Sequence, residues 1–235
     1  MAFFNSMNLS NHFIGKFITS EKEIASRLNN TKAIIFDWDG VFNNGFKQGQ
    51  AGSGFSEVDS MGANLLRFSC FLKTKQLPLT AIISGEKNES AQFFANREHF
   101  DFSFYKIANK IEALNYICEQ KKIKPEEVVY FFDDVLDLSI AKVCGVRILI
   151  AKQATALFTN YCINTNLVDY ITANDGANCG VREACETLMT IGGNFSDVLT
   201  QRTNYSENYK QYIELRDTLS TLVFTKNQEG EISKG

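Results

Sequence analysis

The sequence predicts an α/β protein built on a doubly wound parallel sheet. Three observations carry that prediction. Short unbroken apolar runs recur along the chain ("KAIIFD", "LTAIISG", "EVVYFFDD", "VRILIA"). Segments with helical spacing separate them, which is the pattern of βαβ units. Polar residues stand at the ends of the first three runs, where open α/β sheets place their ligands.

Taken in order, Ser20 and Glu23 form a capping-box pattern ahead of "EKEIASRL", which predicts a lead-in helix. "KAIIFD" follows as a fully buried strand. Beyond Asp39, "GVFNNGFKQGQAGSGFSEV" is rich in Gly and Asn with isolated aromatics, and predicts a projecting β-hairpin flap over about 41–58. "SMGANLLRFSCFLKT" has helical spacing, "LTAIISG" is a second strand, "NESAQFFANREHF" a helix, and "FSFY" holds a short strand. "NKIEALNYICEQKK" reads as an amphipathic helix closed by Pro125. The strand "EVVYFFDD", the helix "LSIAKVCG" ending at Gly145 and the strand "VRILIA" come next. "DYIT" is a small strand and "VREACETLMT" a helix. From Gly192 the chain turns polar, with one helix in "SENYKQYIELRDTLS" and a loose tail. The layout is thus an N-terminal extension with its lead-in helix (1–30), a central domain (31–190) and a C-terminal appendage (191–235).

Composition narrows the function. The 235 residues suit one α/β domain with a substantial core. A net charge of −3 argues against broad binding to nucleic acid or an anionic membrane. The six cysteines include no C-x-x-C pair, which reads as free thiols in a reducing compartment. Two histidines leave little for a His-dependent triad or a His-rich metal site. The N-terminus lacks the basic start and continuous apolar stretch of a secretory signal. No segment approaches the ~20 apolar residues of a membrane span. The expected location is the cytoplasm.

The strand ends carry the chemistry. The first delivers Asp37 and Asp39, the second Ser84, and "EVVYFFDD" delivers Asp133 and Asp134, with Asp137 a turn later. Lys110 opens the helix in between. Each alone is ordinary turn or cap chemistry. Together, three or more carboxylates at one sheet edge repel unless a cation lies among them, and Mg²⁺ suits oxygen ligands. A Ser and a Lys beside it supply hydrogen bonds and positive charge for a phosphoryl group. Asp37 is then placed to attack phosphorus, and Asp39 to give a proton to the leaving oxygen and later take one from water.

With these motifs in this order the chain resembles the haloacid dehalogenase superfamily of phosphatases: Asp37-x-Asp39-Gly40, Ser84, Lys110, then Asp133-Asp134-x-x-Asp137. From about Thr31 to Thr190 it is similar to phosphatases of 3-deoxy-2-ulosonate phosphates, the 3-deoxy-D-manno-octulosonate 8-phosphate enzymes and their nonulosonate 9-phosphate relatives. "DGVFNNG", "SGEK" and "GANCGVREACE" extend the match. The resemblance implies a Rossmann-like fold without a cap domain, because loop and helix take up the stretch from Asp39 to Ser84. It implies Asp37 as nucleophile and Mg²⁺ ligand, Asp39 as acid/base with its carbonyl on the metal, and Asp133 as the other carboxylate ligand. Ser84 and Lys110 would hold the phosphoryl group, with Asp134 and Asp137 orienting Lys110 or metal-bound water. It also implies a homotetramer whose flaps help close neighbouring sites.

For the substrate, Glu86 stands where octulosonate enzymes usually carry Arg, and Arg97 follows eleven residues on, a pattern that resembles the nonulosonate type. Glu86 would accept from sugar hydroxyls and Arg97 would clamp a carboxylate. Phe132 replaces a usual Gly, Asn43 and Asn44 a usual Thr-Asp, and Asn109 a usual Asp. Two alternatives stand beside the phosphatase reading: a catalytically silent interaction module of the same fold, and a broader sugar-phosphate phosphatase. A signalling receiver domain uses similar residues in a different order, and the order here opposes it.

Overall fold

A computed structural model describes residues 15–47, 49 and 52–235. The first fourteen residues, and the readings of the N-terminus made on them, lie outside the described residues. β2 (Ala33–Phe36) and β5 (Val128–Phe132) are buried at every position, because helices cover both faces of the sheet. Alternation along β2 divides the core. Ile34 and Phe36 join a cluster with Leu66, Phe68 and Leu188, while Ala33 and Ile35 join another with Ala113, Leu114 and Ile140.

The first layer holds α1 (Glu21–Leu28), α2 (Glu57–Thr74), α3 (Glu89–Arg97), α7 (Gly180–Ile191), α8 (Phe195–Thr203) and α9 (Glu207–Asp217). The second holds α4 (Lys110–Lys121), α5 (Leu138–Ala141) and α6 (Ala156–Asn164). Ser20 caps α1 by accepting from the Glu23 N–H. α6 and α8 have no counterpart in the sequence reading. Each buries a single residue, Cys162 and Val198, so neither writes an amphipathic pattern. No described helix is long and apolar enough to cross a membrane, and all six cysteines are free thiols.

Among the described residues the sheet has nine strands in the order β1 (Lys16–Phe17), β7 (Tyr170–Ile171), β6 (Val146–Leu149), β5, β2, β3 (Leu79–Ile83), β4 (Phe102–Phe104), β8 (Leu222–Lys226) and β9 (Ile232–Lys234). Only the outermost strands, β1 and β9, run antiparallel to their neighbours, so the predicted parallel sheet is a mixed one with a parallel interior. β2 lies between β3 and β5, with Ala33 opposite both Leu79 and Val128. The chain leaves β2 toward β3 on one side and returns to β5 on the other. That reversal opens a crevice at the strand carboxyl ends.

Two segments differ from the sequence reading. Among the described residues 41–56 there is no strand, and Glu57 and Val58 already belong to α2. At its described positions the predicted flap is a loop whose two ends pack inward, while 48, 50 and 51 lie outside the described residues. Phe42 packs tilted and Phe55 edge-on against Phe94 at ring separations of 4.8 and 4.9 Å. The Trp38 indole donates to the Ser53 carbonyl at 3.1 Å, and the Asn43 amide to the Gly54 carbonyl at 3.0 Å. Burying these rings outweighs projecting a hairpin into water. The C-terminal segment is no loose tail either. β8 pairs with β4, Phe224 opposite Phe104, and β9 pairs with β8. Tyr212 of α9 packs on Phe68 at 5.1 Å.

One buried charge fastens the β1 edge. Arg147 holds Asp169 through Nε at 2.8 Å and Nη2 at 2.7 Å. Thr19 Oγ1 and Arg27 Nη1 donate to the same carboxylate at 2.6 and 3.0 Å. Burial works to raise the Asp169 carboxyl, but the hydrogen bonds from Arg147 and Thr19 outweigh it and hold it below the usual range. Its stabilising contribution is present above the ordinary carboxylate range and is lost as pH falls through the folded value. Asp59 on α2 is the opposite case. It accepts from the Arg182 N–H at 2.8 Å, its other oxygen has no partner, and burial pushes it up to about 6.

Asp169→Ala leaves Arg147 buried without its partner and is expected to cost about 3–5 kcal/mol in urea unfolding. Asp59 contributes in the other direction: the folded state holds its proton more tightly, so stability falls as pH rises from about 4 toward about 6. The difference in unfolding free energy between the wild type and Asp59→Asn, followed across that window, should decline with pH. A flat difference would remove Asp59 as the source.

Candidate active site

β2 ends at Phe36, and the Asp37 N–H continues the ladder by donating to the Phe131 carbonyl at 2.9 Å. That bond holds Asp37 at the crevice beside the end of β5. Two residues later Asp39 is partly exposed. It accepts from the Lys47 ammonium and from the Asn88 amide at 3.3 Å. Gly40 then turns the chain with a φ of +92°, where a side chain is disfavoured. A Cβ there would also collide with Asp133 and Lys152. Asn43 secures the turn, its oxygen accepting from the N–H groups of Gly40 at 3.2 Å and Gly45 at 2.8 Å.

β3 delivers Ser84, buried, with its backbone N–H on the Phe104 carbonyl at 2.9 Å and its Oγ accepting from the Glu86 N–H at 3.4 Å. Lys110, the first residue of α4, is buried, and its ammonium lies 2.6 Å from Asp37 Oδ1 and 2.5 Å from Asp137 Oδ1. β5 delivers Asp133, buried at the crevice. Asp134 is exposed and caps the following turn by accepting from the Val135 N–H at 2.7 Å. Asp137 is fully buried and accepts from Lys110 and from the Tyr130 hydroxyl at 2.6 Å.

Asp37, Asp133 and Asp137 each bring an oxygen within 4.8 Å of the others. Burial pushes both Asp37 and Asp133 upward, and the charge of Asp137 adds to it. For Lys110, burial works to lower the ammonium, but Asp37 and Asp137 outweigh it and raise it. Asp133 Oδ1 is buried and has no hydrogen-bond partner. An orphaned carboxylate oxygen beside two more carboxylates is a donor set that fits a hard divalent cation.

Other sequence-predicted residues fall outside this cluster. Arg97, at the end of α3, is engaged by Glu57, by Glu98 at 3.0 Å and by the Ser60 hydroxyl at 2.6 Å, with its guanidinium 4.9 Å over the Phe55 ring. Glu86 is exposed and precedes α3, so the two do not share a helix face. The Phe132 ring lies in the core, parallel to Tyr130 at 5.9 Å. In "GANCGVREACE", Gly176 packs under the carbonyls of Gly40, Val41 and Asn43. Glu183 accepts from the Ala173 and Asn174 N–H groups, each at 2.8 Å, so this stretch braces the first loop.

Sequence reasoning missed four residues here: Lys47, Asn88, Tyr130 and Lys152. Lys152 pairs with Asp133 Oδ2. It follows the end of β6, so the strand-end rule that found the other polar residues would also have found it. A lone Tyr within a buried strand likewise signals a hydroxyl that needs a partner.

No family model matches the chain. Two curated relatives are the 3-deoxy-D-manno-octulosonate 8-phosphate phosphatases KdsC of Escherichia coli (strain K12) and Yersinia pestis. The first is 25% identical over 183 residues, covering 76% of this chain and 90% of the relative. The second is 23% identical over 171 residues, covering 71% and 84%. Among solved structures, a probable yrbi family phosphatase from Pseudomonas syringae pv. phaseolica 1448a superposes with a TM-score of 0.64 at 24% identity, over 77% of this chain and 98% of that one. The Moraxella catarrhalis octulosonate phosphatase, in complex with magnesium, phosphate and KDO, gives 0.62 at 23% identity over 77% and 98%. The sheet order and these superpositions give the chain the α/β fold of those phosphatases, and its ordered acidic motifs make it similar to the 3-deoxy-D-manno-octulosonate 8-phosphate phosphatases.

Proposed function

We propose that the protein is a Mg²⁺-dependent phosphatase that hydrolyses the terminal phosphate monoester of a 3-deoxy-2-ulosonate. The observation that carries this reading is the buried trio Asp37, Asp133 and Asp137, with Lys110 bridging two of them and Asp133 Oδ1 left without a partner. Asp37 and Asp133 would hold the ion with the Asp39 carbonyl, and Mg²⁺ when bound offsets the negative charge of the phosphoryl group.

The chain's own groups do the rest. An Asp37 oxygen forms a bond to phosphorus as the bond from phosphorus to the sugar's terminal oxygen breaks. Protonated Asp39 gives its proton to that leaving oxygen. Water then attacks phosphorus, breaking the bond to Asp37, while Asp39 takes the water's proton. Lys110, held by Asp137, which Tyr130 fixes in turn, keeps positive charge beside Asp37 throughout. Ser84 donates to a phosphoryl oxygen, and Asp134 and Asp137 hold the turn after β5 in place.

The curated relatives act on the eight-carbon acid, which supports octulosonate 8-phosphate as the first reading of the substrate. A second reading, a nine-carbon acid 9-phosphate, rests on Glu86, exposed two residues past Ser84. Arg97 pairs with Glu57 and Glu98, so the carboxylate clamp expected of it would require it to leave those partners. An oligomer completes the proposal. Phe46, 67% exposed, and Val135, 59% exposed, neighbour Lys47 and Asp134 in sequence and would be covered by a second copy.

Phosphate release should require Mg²⁺ and should fall at least ~1000-fold in Asp37→Asn with the fold retained. A panel of octulosonate 8-phosphate, a nonulosonate 9-phosphate and an aryl phosphate ranks the substrates. Absence of Mg²⁺-dependent release from all three would favour the silent module. Glu86→Ala should raise KM for the preferred sugar acid by about tenfold with kcat little changed, while leaving aryl phosphate alone. An unchanged KM takes Glu86 off the substrate.

A further inference from the structure

We propose that Lys152 is a tethered counter-ion that competes with the divalent cation for Asp133 and so sets how much metal the protein needs. The inference rests on the metal site of the proposed function, and concerns a residue that the reaction above does not use.

The backbone delivers Lys152 to this place. After β6 the Ile150 N–H donates to the Phe132 carbonyl at 2.8 Å, which keeps the chain alongside the end of β5. The Ala151 N–H then donates to Thr172 Oγ1 at 2.9 Å. The Lys152 carbonyl accepts from the Thr155 N–H and hydroxyl, each at 3.2 Å. With the backbone held on both sides, the ammonium reaches Asp133 Oδ2, and Gly40 leaves room for the pair against the first motif's turn.

The consequence is electrostatic. Three buried carboxylates, Asp37, Asp133 and Asp137, face two ammonium groups, since Lys110 pairs with Asp37 and Asp137 and Lys152 with Asp133. A site built only to attract a dication would leave its carboxylates uncompensated. Here one oxygen of Asp133 is already neutralised, and only Oδ1 is open. A cation on Oδ1 lies within a carboxylate's width of the Lys152 ammonium. Like charges at that range repel by far more than thermal energy at the effective dielectric of a protein site. Lys152 keeps an exit, because a quarter of its side chain is exposed and its stem is flexible. Metal entry therefore displaces the ammonium toward solvent or binds against its repulsion. Either way the affinity is lowered.

The test is calorimetric titration of Mg²⁺ into the full-length wild type, Lys152→Met and Lys152→Arg, with no substrate present. Lys152→Met should bind Mg²⁺ at least tenfold more tightly, and Lys152→Arg, which keeps the charge, should stay close to the wild type. The rise in Tm on adding Mg²⁺ should also be larger in Lys152→Met, since its Asp133 lacks the internal partner. If Lys152→Met does not fold, Lys152→Gln takes its place and keeps a polar head. Equal or weaker binding by the neutral variant overturns the inference while the metal site stands. No Mg²⁺ binding by any of these proteins overturns the metal site and this inference together.

Discussion

The acidic edge of the sheet depends on one buried cation. Lys110, 2% exposed, lies between Asp37 and Asp137 and lets both sit in the protein interior. Carboxylates this close would otherwise take up protons or disrupt the packing around them. The lysine answers that constraint only because α4 starts at that residue, so its side chain is delivered from a rigid element. Tyr130 then donates to Asp137 from within β5, which fixes the acid that fixes the lysine. The positive charge beside Asp37 is thus held by two layers of partners and does not drift with substrate.

A second constraint concerns the loops around this edge. The turn after β2 is irregular, so its polar groups need partners beyond a ladder. Asn43 supplies them within the turn, and the backbone of the Gly176 stretch packs directly beneath it. Glu183 organises that stretch, and the Arg182 N–H beside it meets Asp59 of α2. The residues that brace the site therefore sit far from it in sequence, on the helix pair α2 and α7. Asn43 is wholly occupied with building the loop.

The crevice itself presents two contrasting lysines. Lys110 serves carboxylates that need its charge, whereas Lys152 serves Asp133 at the oxygen pair a metal would use. Lys47 pairs with the Asp39 carboxylate from the loop side. Three tethered cations on four acids make a less negative crevice than the acidic motifs alone suggest. The Phe132 ring is buried in the core, parallel to Tyr130.

Much of this was legible in the sequence. Buried strands announce themselves as apolar runs, and topology sends their carboxyl ends to one edge, so Asp37, Ser84, Lys110 and Asp133 were expected together and are found close to one another or on neighbouring strand ends. The helices α6 and α8 escaped because each buries one residue and leaves no periodic signal. The inward packing of Phe42 and Phe55 escaped because Gly and Asn mark a turn without saying whether nearby aromatics face water or core. By itself, then, the sequence determined the fold class and the order of the chemical motifs, since both follow from local polarity patterns. Only the tertiary structure decided that β8 and β9 complete the sheet, that Arg97 is bound by Glu57 and Glu98, and that Lys152 meets Asp133. Those pairings join residues distant in the chain, and no local pattern encodes which partner a charge or a strand edge will find.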